Sequence, residues 1–170
     1  MDVERRHAHH LDGCVAALRA VHESDGYPTW WPEDPAAWLN PPGTAAAWVA
    51  CARDGTVLGH VCVIRGVDDS TVTSLVGAPP SDLASVSRLF TSPAVRGSGL
   101  ALGTALLTTA QQWTREQGLH LMLDVVDDGA PAVSLYERLG WRLVDCRDAH
   151  WTTPEGLRHR VRIYLEPERL

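Results

Sequence analysis

Apolar positions along this chain switch between two spacings, and the switches mark out its elements. Leu11, Val15, Leu18 and Val21 recur every three or four residues and predict a helix that ends at Gly26-Tyr27-Pro28. Residues 46–52 and 57–65 are apolar runs of strand length around Arg53-Asp54-Gly55-Thr56, where Asp-Gly signals a hairpin. Residues 85–91 predict another strand. Leu102, Leu106, Ala110 and Trp113 then return to helical spacing and predict a helix over 102–118, capped by Gly118. A strand over 119–126 follows, and then a helix over 131–139 closed by Gly140. Residues 141–147 and 160–165 predict two last strands around a loop at 150–159. Three stretches are less regular. Residues 3–8 form a poorly patterned first strand, and Asp34-Pro35 starts a short helix over 36–39 with Asp34 as N-cap. Residues 66–81 form a loop with an extended piece at 72–76.

The strand–helix–strand unit from Ser85 to Val126 sits among antiparallel neighbours, which implies a mixed α+β sheet. No linker, repeat or low-complexity stretch interrupts the pattern, so residues 1–170 are expected to form one domain. A chain of 170 residues with 45% hydrophobic and 21% charged content fits an ordinary globular domain with a substantial core. Its net charge of −6 argues against a nucleic-acid partner and fits a cationic small substrate better. No basic start leads into an apolar segment, and no apolar run approaches membrane length. The expected setting is cytoplasmic, with no membrane partner.

Chemistry enters at Ser92-Pro93-Ala94-Val95-Arg96-Gly97-Ser98-Gly99-Leu100-Ala101, between the strand at 85–91 and the long helix. A strand that breaks into a glycine turn and feeds a helix leaves backbone N–H groups pointing out of the helix start. With the positive end of the helix dipole, they make an anion site. The nucleotide P-loop ending Gly-Lys-Ser/Thr is absent. The dinucleotide pattern Gly-x-Gly-x-x-Gly also fails, because Leu102 stands where its third glycine belongs. The stretch Arg96-Gly97-Ser98-Gly99-Leu100-Ala101 instead resembles the Arg/Gln-x-x-Gly-x-Gly/Ala pyrophosphate motif of the GCN5-related N-acetyltransferase (GNAT) family.

A second landmark, Ala132-Val133-Ser134-Leu135-Tyr136-Glu137-Arg138-Leu139-Gly140-Trp141, resembles that family's Ala-x-x-Leu-Tyr-Glu-Lys/Arg-x-Gly-Phe. The two landmarks come in the family's order and separation. The resemblance implies the GNAT acyl-CoA N-acyltransferase fold, a mixed and mostly antiparallel sheet of about six to seven strands flanked by about four helices. It implies acetyl-CoA as cosubstrate and transfer of its acetyl group to an amine by direct attack. Backbone groups of Arg96, Gly97, Ser98, Gly99, Leu100 and Ala101 would hold the pyrophosphate, and Phe90, Thr91 and Val95 the pantetheine arm. Ser134 and Tyr136 would line the cofactor, with the Tyr136 phenol as the acid that protonates the departing thiolate. The family often places an asparagine seven residues before that tyrosine, where this chain has Gly129. Homodimers are common in the family and are a further expectation.

The acceptor side is less explicit. Residues 27–38 and the His150-Trp151-Thr152-Thr153 loop are the expected walls, with Trp30 and Trp31 as an aromatic pocket and Glu33 and Asp34 nearby for an amine's charge. No carboxylate precedes the glycine turn on its strand, so the general base stays open among His60, Asp124, Glu33, Asp34 and His150. Cys14, Cys51, Cys62 and Cys146 show no metal spacing and read as reduced thiols. His7, His9 and His10 cluster, but no cysteine or carboxylate constellation supports a metal; an exposed N-terminal segment is expected there, and no metal. The expected function is therefore an acetyl-CoA-dependent N-acetyltransferase of a small-molecule amine, aminoglycoside-like and polyamine-like compounds included. The alternatives are acetylation of protein N-termini or lysines, and a non-catalytic CoA sensor of the same fold.

Overall fold

The computed structural model describes residues 1–99, 101–128 and 131–168. Its strands are β1 (Asp2–Arg5), β2 (Thr44–Cys51), β3 (Val57–Arg65), β4 (Leu83–Thr91), β5 (His120–Val126), β6 (Arg142–Asp148) and β7 (Arg160–Leu165). They form one seven-stranded sheet in the order β1-β2-β3-β4-β5-β7-β6. Every neighbouring pair is antiparallel except β4 and β5, which run parallel. A parallel pair needs a crossover, and α4 (Leu102–Glu116) supplies it. This is the mixed, mostly antiparallel architecture expected from the sequence.

Two layers of side chains cover the sheet. On one face, Leu102, Leu106, Leu107 and Ala110 of α4 pack on Trp48, Val61, Val63, Val86, Leu121 and Leu123. On the other, α1 (Leu11–Asp25) packs Cys14, Leu18 and Val21 against Leu39, Val49, Val57 and Phe90. Trp48 and Val49 fall in different clusters because successive strand residues point to opposite faces. The Asp54-Gly55 hairpin forms as read: Gly55 takes φ +86, and the Asp54 carboxylate accepts from the Thr56 N–H at 3.0 Å.

One element differs from the sequence reading. The extended piece expected at 72–76 belongs to helix α3 (Ser70–Val76). Its β-branched residues imitate a strand, but local capping outweighs their preference. The Asp69 carboxylate accepts from the Val72 N–H at 3.1 Å, and Gly77 closes the helix at φ +65. The first strand also ends at Arg5, and Ala8–His10 form a short turn into α1. Helices α2 (Pro35–Trp38) and α5 (Pro131–Arg138) form where proline marks their starts.

Candidate active site

β4 and β5 pair only where Leu83–Val86 face His120–Leu123. Beyond that the two strands part, and the far end of β4 pairs with β3 alone among the described residues. Its free edge offers backbone N–H and C=O groups to whatever enters the gap. A bulge bends this edge. Between the pairs His60–Phe90 and Cys62–Ser87, β4 carries one more residue than β3, and Arg88 there adopts φ +55. A non-glycine residue in the left-handed region persists only where its surroundings hold it. Gly59 on β3 lets the layers close over this end. A Cβ at Gly59 would stand 2.8 Å from Leu106 Cδ1 and 3.1 Å from the Phe90 carbonyl oxygen.

The glycine turn follows at once. Pro93–Val95 make a single 3-10 turn, Gly97 and Gly99 take φ +73 and +78, and Ala101 enters α4 at φ +48. Nothing lies within 4 Å of a Cβ built on Gly97 or Gly99, so backbone angle rather than crowding asks for glycine there. Among the described residues no side chain caps the start of α4, and its first turn carries no acid. The first N–H groups and the positive end of the dipole are left to an anion. The side chains of the turn are already engaged. Arg96 forms an ion pair with Asp25 at the end of α1 and donates to the Thr91 carbonyl at 3.0 Å. The Ser98 hydroxyl donates to the Val95 carbonyl. The turn is thus shaped by its side chains and presents backbone.

Across the gap, α5 carries Tyr136, whose ring is 6% exposed and lies 6.2 Å from Trp141 and 6.0 Å from Tyr164. Burial first, then the negative influence of Tyr27 and Asp124, raises its phenol above the usual value, so it stays protonated at neutral pH. The Tyr164 hydroxyl donates to Glu137 at 2.9 Å and Arg162 donates to the same carboxylate at 3.4 Å, which ties α5 to β7. Asp124 is the first residue of β5 past the last β4–β5 pair. It keeps exposed surface, yet desolvation raises its carboxyl above the usual value, against a backbone hydrogen bond and the neighbouring His150, Arg147 and Arg88. The two predicted acceptor segments also meet. Trp30 meets Trp151 edge to face at 6.0 Å, and Tyr27 lies 5.9 Å from Trp38 and 6.5 Å from Phe90.

The glycine turn that follows β4 and the buried Tyr136 phenol on α5 are the two sequence landmarks in space. Residues 14–141 match the family model described as the acetyltransferase (GNAT) family. The chain belongs to that family. It is also 32% identical over 120 residues to mycothiol acetyltransferase of Acidothermus cellulolyticus, an alignment covering 69% of this chain and 33% of that protein. The chain thus spans about a third of this curated relative. Its fold is similar to NAA60 of Arabidopsis thaliana solved with acetyl-CoA, with TM-score 0.73, 17% identity and 96% of each chain covered. It is similar as well to the ribosomal-protein-S18-alanine N-acetyltransferase of Escherichia coli, with TM-score 0.69 and 18% identity over 99% of this chain and 94% of that one.

Against that frame of gap and turn, the expected site residues separate into groups. Phe90, Thr91, Val95, Arg96, Gly97, Ser98, Gly99 and Ala101 form the β4 end and the turn; the Phe90 side chain itself packs towards α1. Leu100 and Gly129 lie outside the described residues. Ser134 is exposed on α5. His150 lies near enough to act on the Asp124 carboxyl, and Trp30 meets Trp151 of the same loop as His150. Trp31 does not join Trp30: it packs on α1, with the Arg19 guanidinium 4.3 Å from its ring and His22 at 5.5 Å. Glu33 is exposed, and Asp34 caps α2 by accepting from the Ala37 N–H at 3.0 Å. His60 corrects its expected place in the acceptor site, because it is 0% exposed and both ring nitrogens are taken. Arg88 escaped the sequence reading, since nothing in its neighbours announces a bulge on a non-glycine residue.

The histidine cluster also looks different once folded. Glu4 and Cys51 come within reach of His10, with one ligand atom from each inside 4.8 Å of the others. The donor set does not suit a metal. His10 Nδ1 accepts the His7 N–H at 2.9 Å, which leaves the ring proton on Nε2, the atom 3.6 Å from Glu4.

Proposed function

We propose that this protein transfers the acetyl group of acetyl-CoA to the primary amine of a small molecule by direct attack. Backbone N–H groups of the 96–101 turn bind the pyrophosphate, and the free edge of β4 from Phe90 to Thr91 lines the pantetheine arm. The thioester then lies between the β4 bulge and α5. Asp124 takes the proton from the incoming ammonium, directly or through a water, and the neutral amine attacks the acetyl carbonyl. The C–S bond breaks as the tetrahedral intermediate collapses, Tyr136 gives its proton to the thiolate, and the second proton shed by the acylated nitrogen passes through solvent to restore the phenol. The raised Asp124 carboxyl suits a base, because its conjugate acid lies closer to working pH than that of a free carboxylate.

The observation that favours a compact acceptor is the Trp30–Trp151 contact. It joins the two acceptor loops to each other, and loops held together suit a small amine better than an extended polypeptide. Thiol release from acetyl-CoA tests the reading across small amines, amino acids and peptides with free N-termini. Turnover is expected on small amines, with an acidic limb in kcat/KM above the ordinary carboxylate range that Asp124→Asn abolishes. Turnover confined to peptides would overturn the small-molecule acceptor. Acetyl-CoA binding without turnover on any amine would point to a sensor.

A further inference from the structure

We propose that His60 is a positioning residue for acetyl transfer: its buried imidazole fixes the carbonyl of bulge residue Arg88 and, through Arg6, ties the bulge to the acceptor-side segment. The inference rests on the acetyl-transfer reading for its kinetic consequence and on geometry for the network itself. His60 Nδ1 lies 2.8 Å from the Arg88 carbonyl oxygen, and Nε2 lies 3.0 Å from Arg6 Nη1. A carbonyl only accepts and a guanidinium only donates, so one tautomer satisfies both. Nδ1 carries the proton and donates to Arg88, while Nε2 accepts from Arg6.

The circuit continues on both sides. Arg6 also donates to the Leu39 carbonyl and to Asn40 Oδ1, each at 2.6 Å. Arg88 returns from the bulge to donate to the Trp38 carbonyl at 2.9 Å, with its guanidinium 3.9 Å from the centre of the Trp38 ring. The His60 ring stacks on Phe90 at 5.4 Å with 19° between planes. Bulge, His60, Arg6, residues 38–40 and the Arg88 side chain therefore close a loop around a non-glycine strand residue held at positive φ. Burial, opposed by the hydrogen bond to the Arg88 carbonyl and aided by the Arg6 and Arg88 charges, lowers the imidazole to about 4, so it stays neutral under working conditions. With no free lone pair and no exposed surface, the ring cannot take a proton from substrate. What it can do is hold the β4 edge where the thioester must sit.

Two substitutions separate its two bonds. His60→Asn places an amide N–H near Nδ1 and keeps the bond to Arg88; His60→Gln places an oxygen near Nε2 and keeps the bond to Arg6. If the Arg88 carbonyl is what matters, H60N keeps kcat within about threefold while H60Q loses about tenfold to a hundredfold, since misplacement by about 1 Å has that effect. Both keep the acetyl-CoA dissociation constant within about threefold, because the pyrophosphate turn is untouched. The acidic limb of kcat/KM stays in place in both variants. Equal kcat for H60N and H60Q, or a lost acidic limb in both, would overturn the proposal. A second arm needs no variant: long-range nitrogen–proton correlation on the wild-type protein should find the proton on Nδ1 at neutral pH. A ring protonated on Nε2 or on both nitrogens would overturn the network. Absence of wild-type turnover would count against the acetyl-transfer reading alone, and the tautomer would still decide the network.

Discussion

The donor half of the cleft and the acceptor half are built by different means. The donor half is mostly backbone. Its turn uses Gly97, Gly99 and Ala101 at positive φ, and its strand edge is a ladder left unpaired where β4 and β5 part. The acceptor half is mostly side chain, and its contacts join residues far apart in sequence, such as Trp30 with Trp151. A backbone site would serve a ligand part that never changes, as the pyrophosphate and pantetheine of the proposed cosubstrate are. A side-chain site on loops is free to suit whichever acceptor is used. The proposed acid and base lie on separate elements, Tyr136 on α5 and Asp124 on β5.

The largest effect expected is at the proposed acid. Tyr136→Phe removes the proton for the departing thiolate and should lower kcat by about a hundredfold or more, with acetyl-CoA affinity unchanged. Steady-state kinetics beside a cofactor titration read the two numbers separately. An unchanged kcat would make the phenol a packing residue against Trp141 and Tyr164, and the donor half would then end at the turn.

That division explains what could be read in advance. The Arg96 to Ala101 turn was legible because its unusual backbone angles call for glycine, and glycines at fixed spacing are visible in a sequence. Tyr136 was legible because it sits in a helix whose start and end proline and glycine mark. One misplaced feature depends on a local cap and the others on tertiary contacts. Residues 72–76 read as extended, but the Asp69 cap starts a helix there. Trp31 reads as a partner of Trp30 until Arg19 and His22 claim its ring. His60 reads as a candidate base until Arg6 and Arg88, 54 and 28 residues away, occupy its nitrogens.

His60 lies on the seam between the halves, and its burial yields a stability test. Its ordinary value of 6.5 falls to about 4 in the folded protein, so between these values the unfolded chain binds a proton that the native ring refuses. Stability from this group is therefore full above 6.5 and is lost as pH falls towards 4, by up to about 1.4 kcal/mol per pH unit. His60→Asn does not titrate, so its deficit against the wild type should shrink by that amount as pH falls through the window. Urea midpoints at pH 4.5, about 5.5 and about 6.5 measure it. A constant gap would mean the ring is charged in the native protein, and the seam would be open to solvent.

Within the donor half, Gly99→Ala isolates the backbone contribution. No neighbour lies within 4 Å of the added Cβ, so the whole effect is left-handed strain, about 1–2 kcal/mol. If the turn relaxes to avoid it, acetyl-CoA binding should weaken by about five- to thirtyfold. An acetyl-CoA affinity equal to wild type would show that the turn tolerates other angles.

The smallest effect separates two neighbours that look alike in sequence. Trp30 contributes one ring of an edge-to-face pair that joins the two acceptor loops, and such pairs are worth about 0.5–1.5 kcal/mol. Trp30→Ala should raise the acceptor KM by about tenfold or less and leave the acetyl-CoA KM alone. Trp31→Ala should do the reverse. Its ring packs on α1 beneath Arg19, so its loss lowers the unfolding temperature and spares the acceptor KM. The pair of variants, run side by side with both substrates, asks whether the acceptor half is a site with its own chemistry. Equal shifts in KM from both would make residues 27–38 one compliant flap, and the contrast between a backbone-built donor half and a side-chain-built acceptor half would fail on its acceptor side.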